Sequence, residues 1–122
     1  MKVLSFGEIL FDVIEGQHYL GGAPFNYAAH LAKMGVEAYI FSRLGNDQLG
    51  QEAWERTRIL GVKSDFLQVD KQHPSGTVTV SISDGQPTYH IHEDVAYDYI
   101  GYEEAHTKLT GISFDVLYFG SL

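Results

Sequence analysis

Cysteine is absent from this chain of 122 residues, so the chain can form neither a disulfide framework nor a thiolate metal site. Lysine and arginine number only 8, against 16 aspartates and glutamates, and the basic residues form no cluster. Because nucleic-acid binding requires basic groups that neutralise phosphates, the net charge of −8 argues against a nucleic-acid partner. A small phosphate-bearing ligand remains possible, since helix N-termini bind anions without lysine.

Long apolar runs are also missing. No stretch approaches the roughly 20 residues that cross a bilayer. Glu8 and Asp12 interrupt the apolar start of the chain, which therefore does not resemble a signal peptide. We expect a cytoplasmic protein without a membrane partner. With 44% apolar and 20% charged residues, the composition is that of one globular domain.

The first half of the chain alternates strand and helix signals. The expected elements are two extended pieces, a helix, a strand and a second helix, over residues 3–6, 10–14, 24–35, 36–44 and 47–61. Pro24 suits the first turn of its helix, and the Asp47 side chain can cap the second helix. This order of elements predicts an α/β protein with a parallel sheet.

The second half of the chain changes its period. Residues 77–83 alternate between polar and apolar, Asp84-Gly85 is a tight-turn signal, and residues 88–92 alternate again. We therefore expect an antiparallel, half-buried hairpin that projects from the parallel sheet. The remaining expected elements are a short helix and a buried strand, over residues 103–109 and 114–119.

The segment from Gly21 to Ala28, with the sequence GGAPFNYA, is the most informative local sequence. Glycine lets a ligand approach the backbone because it has no Cβ, and Asn26 can both donate to and accept from sugar hydroxyls. A turn that precedes a helix and binds nothing also explains this segment. Asp12 follows the first strand, at the sheet edge where ligands of α/β proteins bind, and can accept hydrogen bonds from two hydroxyls. A solvated turn aspartate is the alternative.

Two nucleotide-binding motifs do not fit the sequence. Gly45 and Gly50 have the spacing of a P-loop, but Gln51 stands where that motif requires lysine. No G-x-G-x-x-G follows the first strand either, which disfavours a nicotinamide cofactor. Gly45 and Asp47 are therefore interpreted as a backbone turn and a helix cap. His90 and His92 share one face of a strand, but a third zinc ligand is not evident, so no metal site is predicted.

The combined spacing resembles the first signature of the ribokinase-like (PfkB-type) carbohydrate kinases. The residues that match are Gly21, Gly22, Pro24, Asn26, Ala28, Gly35 and Gly45. Gly7-Glu8 with Asp12 resembles the family's opening strand, and residues 45–50 resemble its strand-to-helix turn. The resemblance implies a three-layer, Rossmann-like parallel sheet with helices. It also implies a projecting antiparallel β lid, formed by approximately residues 10–20 and 77–99.

The resemblance also implies which residues bind the substrate. The positions that match sugar-contacting residues of the family are Asp12, Gly21, Gly22 and Asn26. His92 stands four residues before Ala96, where several related fructokinases and ketodeoxygluconate kinases carry arginine, so a sugar acid is a less favoured ligand. Tyr97 could stack on a sugar face or simply cover the dry side of the lid. Fructose is the first candidate substrate, ribose or a ketose other than fructose is the next, and a nucleoside such as adenosine is the third.

The resemblance implies chemistry whose catalytic residues we do not find in this sequence. Enzymes of the family transfer the γ-phosphoryl group of ATP, with Mg²⁺, and their base lies in a Gly-Ala-Gly-Asp motif that does not occur here. We therefore expect residues 1–122 to be the N-terminal part of a fructokinase-like kinase, without the C-terminal ATP-binding part and inactive alone. A non-catalytic sugar-binding or regulatory module is the alternative. Because the last strand has no covering helix, we also expect a homodimer through the lid or the exposed sheet edge.

Overall fold

The computed structural model describes residues 1–120, which form two four-stranded sheets. The strands are β1 (Lys2–Phe6), β2 (Leu10–Ile14), β3 (Gln17–Gly21), β4 (Glu37–Gly45), β5 (Lys63–Asp70), β6 (Gly76–Ser83), β7 (Gln86–Ile91) and β8 (Val116–Phe119). The helices are α1 (Ala23–Lys33), α2 (Gln48–Ile59) and α3 (Tyr102–Thr110), with a short 3₁₀ helix at Ala96–Tyr99. Within residues 1–120, each helix is too short or too polar to cross a membrane.

The main sheet is parallel and has the strand order β5-β4-β1-β8. Side chains from α1 and α2 pack on one face of this sheet, and side chains from α3 pack on the other. Helices on both faces of a parallel sheet form a three-layer α/β architecture, which confirms the predicted fold class.

Strand β4 shows how the sequence builds these layers. Ala38, Ile40 and Leu44 belong to the core beneath α1 and α2, whereas Tyr39 and Phe41 belong to an aromatic cluster beneath α3. Because successive strand residues point to opposite faces, both faces of β4 must be apolar. The strand therefore appears in the sequence as a nearly continuous apolar run, as is typical of buried parallel strands.

The second sheet has the order β3-β2-β6-β7. Its β6–β7 hairpin is antiparallel, as predicted, and the turn at Asp84-Gly85 joins the paired residues Ser83 and Gln86. Every residue of β7 is exposed. The sequence did not predict that β6 also pairs in parallel with β2, which connects the hairpin to the start of the chain.

Strand β5 is missing from the sequence prediction. Its sequence, KSDFLQVD, mixes charged and apolar residues without a clear period, yet Gln68 and Asp70 are buried. Asp70 has local partners in the turn at Gln72 and His73, but Arg43 on β4 and Gly101 after β7 are distant in sequence, so the local sequence contains no sign of them. Tertiary contacts therefore determine this strand.

The Asp47 cap of α2 is confirmed and has a second role. Its carboxylate accepts a hydrogen bond from the Gly50 amide at 2.8 Å, from the Ser75 amide at 2.9 Å and from the Ser75 hydroxyl at 2.7 Å. Burial alone would raise the pKa of Asp47, but the hydrogen bonds from Ser75 and Gly50 outweigh burial and lower it. The cap thus also fixes the connection between β5 and β6.

Candidate functional site

A cleft of about 550 Å³ lies between the carboxyl ends of β1 and β8 and the segment that follows β7. Its wall contains Phe6, Gly7, Glu8, Ile91, His92, Glu93, Tyr97, Asp98, Ile100 and Gly120. Strand β1 lies between β4 and β8, so the strand order reverses its direction at β1. Ligands of open α/β sheets bind outside the carboxyl ends of strands at such a switch point, which makes this cleft the candidate site.

Two predicted site residues line the cleft. His92 is half-buried, and its Nε2 lies 2.7 Å from the Thr79 hydroxyl of β6. The Tyr97 ring packs directly on Gly76, because a Cβ at Gly76 would lie only 2.2 Å from a ring carbon. Burial raises the pKa of the Tyr97 phenol, and the nearby carboxylates of Asp98 and Glu8 raise it further. The Tyr97 phenol can therefore present a neutral hydrogen-bonding group to a ligand.

The glycine pair and Asp12 lie beside the cleft rather than in its wall. Asp12 is half-buried on β2, and its Oδ2 would be 3.7 Å from a Cβ at Gly21. Gly22 has a φ of +104°, and a Cβ there would lie 2.6 Å from the backbone oxygen of Glu8. The two glycines therefore allow the start of α1 to pack closely against the chain between β1 and β2.

Asn26 lies elsewhere in the structure. It is exposed on the first turn of α1 and borders a separate cavity of about 310 Å³, together with Lys33 and Arg56. The structure therefore brings His92 and Tyr97 together in the cleft, places Gly21, Gly22 and Asp12 next to it, and separates Asn26 from it.

Sequence reasoning missed three acidic residues of the cleft, which are Glu8, Glu93 and Asp98. Glu8 contributed to the resemblance of the opening strand but was not selected as a site residue. It is only 6% exposed. A charged residue directly after a buried strand and a glycine was the available signal, because the carboxyl end of such a strand is where ligands gather.

A buried polar cluster centred on Asp70 lies behind the cleft. The Asp70 carboxylate accepts hydrogen bonds from Arg43 Nε at 2.9 Å and from the Gln72 and His73 amides at 2.8 and 3.0 Å. His73 Nδ1 lies 3.1 Å from the same carboxylate. Burial alone would raise the pKa of Asp70, but the contacts from Gln72, Arg43 and His73 outweigh it and hold that pKa well below its usual range.

This polar cluster holds the segment that contains Tyr97 against the main sheet. The Gln68 side chain donates to the Gly101 carbonyl at 2.7 Å and accepts from the Gly101 amide at 2.9 Å. The His73 ring stacks on Tyr99, with ring centroids 3.8 Å apart. The chain directly after Tyr97 is therefore fixed at Tyr99 and Gly101, and this wall of the cleft is preorganised.

Comparison with known proteins agrees with this architecture. The solved structure of an uncharacterized sugar kinase from Pyrococcus horikoshii superimposes with a TM-score of 0.86 at 25% identity, covering 98% of this chain and 44% of the other. The fructokinase of Halothermothrix orenii superimposes with a TM-score of 0.84 at 27% identity, covering 98% of this chain and 46% of that protein. The fold is therefore that of the ribokinase-like sugar kinases.

The family assignment follows from the sequence match. Residues 2–120 match the pfkB family carbohydrate kinase profile, and the chain belongs to this family. A putative sugar kinase of Pyrococcus horikoshii is 30% identical over 106 residues, which are 78% of this chain and 34% of that protein. A fructokinase of Escherichia coli is 31% identical over 88 residues, 68% of this chain and 29% of that protein. The chain thus spans about a third of the length of these relatives.

Proposed function

We propose that this chain supplies the sugar-binding portion and the lid of an ATP-dependent sugar kinase. In the proposed reaction, the γ-phosphoryl group of ATP is transferred to a sugar hydroxyl, with fructose as the first candidate and ribose, or a ketose other than fructose, as the next. The observation that supports this most directly is the cleft at the switch point of the sheet, which contains polar groups suited to hydroxyls. Relatives named fructokinases in Escherichia coli and Solanum tuberosum favour fructose.

In this proposal the sugar is bound from two sides. Asp12, Gly21 and Gly22 bind it near the β1–β2 connection, and His92 and Tyr97 bind it from the segment after β7. Asn26 is part of the proposed set through the resemblance. Its exposed position on α1 requires that a ligand also contact the outer side of that helix turn. The β6–β7 hairpin is proposed to shield the sugar from water.

The residues of this chain do not fit ATP and Mg²⁺. None of the cleft residues in the described part of the chain is lysine or arginine, and Gln51 replaces the lysine of a P-loop. Within residues 1–120, no group of three His, Asp or Glu side chains could hold a metal ion. ATP binding, which a solved structure of the Pyrococcus horikoshii relative shows for that protein, is therefore not assigned to any residue here.

Sugar binding by the 122-residue chain tests the proposal directly. We expect calorimetry to detect binding of fructose or ribose, and we expect Asp12→Ala to weaken it about 10- to 100-fold, because hydrogen bonds to a carboxylate contribute about 1.5–3 kcal/mol each. Asp65→Ala, which removes an exposed carboxylate on β5, is the matched control and should bind as the unmodified chain does. If neither sugar binds, the proposal is wrong for this chain.

A second expected result is the absence of phosphoryl transfer by the purified chain. The sequence contains no Gly-Ala-Gly-Asp motif to supply the base that phosphoryl transfer to a hydroxyl requires. A coupled assay for ADP, with fructose and MgATP, should stay at the background rate. Sugar-dependent ADP release above background would contradict this expectation.

The alternative function is a sugar-binding or regulatory module without transferase activity. Both functions predict that the chain binds sugar, so calorimetry does not distinguish between them. The reading frame downstream of Leu122 separates them, because continuation to a Gly-Ala-Gly-Asp motif supports the kinase and an immediate stop codon supports the module.

Self-association is also part of the proposal. The exposed apolar side chains on β6, β7 and β8 include Ile82, Tyr89, Ile91, Leu117 and Phe119, which are 45–71% exposed. Strands β7 and β8 lie at sheet edges, where unpaired backbone groups can pair with a second chain. We expect light scattering after size-exclusion chromatography to give the mass of a homodimer. A monomer at all concentrations tested would rule out this arrangement.

A further inference from the structure

The Glu8 side chain is largely buried, but its carboxylate oxygens are open to the cleft and have no partner within residues 1–120. It is 6% exposed, lines the central cleft and forms no side-chain hydrogen bond or ion pair with any of residues 1–120. Burial of an unpaired charge is costly, so a protein normally pairs such a group or exposes it. The unmet hydrogen-bonding capacity of Glu8 lies in the cleft, and a ligand with several donors would satisfy it.

The local backbone does not require this carboxylate. The Gly7 amide donates to the Phe41 carbonyl at 3.1 Å, which fixes the end of β1. Gly22 packs on the backbone oxygen of Glu8 without using its side chain. Backbone contacts therefore hold the local conformation. No contact within residues 1–120 assigns a structural role to the Glu8 side chain.

The charge of the cleft restricts the ligand. Glu93 and Asp98 lie in the same wall as Glu8, and no lysine or arginine lies among the cleft residues of the described chain. Like charges in a cleft of reduced dielectric repel by several kcal/mol, which disfavours phosphorylated and carboxylated ligands. Sugar hydroxyls donate hydrogen bonds and carry no charge, so a neutral polyol suits this wall. A metal ion does not suit it, because no group of three acidic or histidine side chains within residues 1–120 could hold one.

We propose that the Glu8 carboxylate binds hydroxyl groups of an uncharged sugar in the central cleft and makes the cleft selective against phosphorylated and carboxylated sugars. This inference rests on the proposed sugar-binding function and adds a binding residue and a substrate class to it. Glu8 lies just after the end of β1, and Tyr97 lines the same cleft from the segment that follows β7.

The test measures binding of fructose, fructose 6-phosphate and gluconate to the unmodified chain and to Glu8→Gln by calorimetry. We expect fructose to bind the unmodified chain, and both anions to bind at least about tenfold more weakly. Glu8→Gln should weaken fructose about tenfold and reduce the discrimination against both anions, because it keeps the shape and removes the charge. Glu8→Asp, which retains the charge, should preserve the discrimination. Glu103→Gln, at an exposed position of α3, is the matched control.

Thermal unfolding of the ligand-free variants provides an independent readout. Because no group within residues 1–120 pairs with the Glu8 carboxylate, its removal should leave the midpoint of Glu8→Gln equal to or above that of the unmodified chain. A midpoint lowered by several degrees would assign Glu8 a structural role and overturn the inference. Fructose binding that is unchanged in Glu8→Gln would also overturn it, while leaving the proposed function intact. Absence of binding by every sugar in every variant would overturn both proposals.

Discussion

Replacement of Gly22 by alanine should lower the free energy of unfolding by about 4 kcal/mol. This value is the sum of two costs. The first cost is conformational, because Gly22 has a φ of +104° and a ψ of 128°, a region that residues with a Cβ avoid. The second cost is steric. The new Cβ would lie 2.6 Å from the backbone oxygen of Glu8 and 3.4 Å from the Cα of Ile9, and neither backbone atom can move without displacing the start of β2.

Gly35→Ala is the matched control for this substitution. Gly35 also has a positive φ, +82°, but no heavy atom lies within 4 Å of its Cβ position, so only the conformational cost of about 1 kcal/mol applies. Urea unfolding followed by circular dichroism gives both values. Equal losses in the two variants would show that the close approach of α1 to Glu8 contributes nothing to stability.

Asp70→Asn should lower the free energy of unfolding by about 3 kcal/mol at neutral pH. The Asp70 carboxylate is 4% exposed and accepts from the guanidinium of Arg43 and from two backbone amides. The amide nitrogen of asparagine is itself a donor, so one of these donors would lose its acceptor in a buried position. The substitution should also loosen the wall that contains Tyr97, because His73 contacts both Asp70 and Tyr99.

The pH dependence of this loss has a definite sign. The pKa of Asp70 is held below its unfolded value of about 3.9, so its contribution is fully present above about pH 5 and is lost as the pH falls toward the lower pKa of the folded state. The difference in stability between the unmodified chain and Asp70→Asn should therefore shrink between pH 5 and pH 3, as urea unfolding at both pH values would measure. Asp65→Asn, at an exposed position on the same strand, should change stability by less than about 0.5 kcal/mol at either pH. A constant difference across this range would contradict the role assigned to the Asp70 carboxylate.

The parts of the fold that sequence reasoning predicts are those whose signals are local. The Asp47 cap, the helix end before Gly35 and the Asp84-Gly85 turn each depend on residues within one helical turn or one hairpin, and the structure contains all three. Strand β5 was missed for the opposite reason. Its buried Gln68 and Asp70 depend on Gly101 and Arg43, which are distant in sequence and meet them only in the folded protein.

The candidate site likewise contains residues that the sequence indicated and residues that only the folded structure reveals. His92 and Tyr97 were selected because the resemblance and the composition of that segment indicated them, and the structure places both in the cleft. Glu8 was not selected although it directly follows a buried strand and a glycine, and only the three-dimensional structure shows that its carboxylate opens into the cleft without a partner within residues 1–120. Asn26 was selected from its position in a motif, yet the direction of a side chain on the first turn of a helix depends on how that helix packs. The substrate-binding roles of all six residues stay predictions, for His92 and Tyr97 as for Asp12, Gly21, Gly22 and Asn26.

The parallel pairing of β2 with β6 has a consequence for the order in which the chain folds. Leu10 pairs with Gly76 and Ile14 with Val80, so the two strands can meet only after α1, β4, α2 and β5 have brought them together. Contacts between residues so distant in sequence close a long loop and form slowly. We therefore expect the β6–β7 hairpin to join β2 late in folding and to open before β1 and β4 separate. Its amide protons should exchange with solvent faster than those of β1 and β4, so the cleft can open locally while the main sheet stays folded.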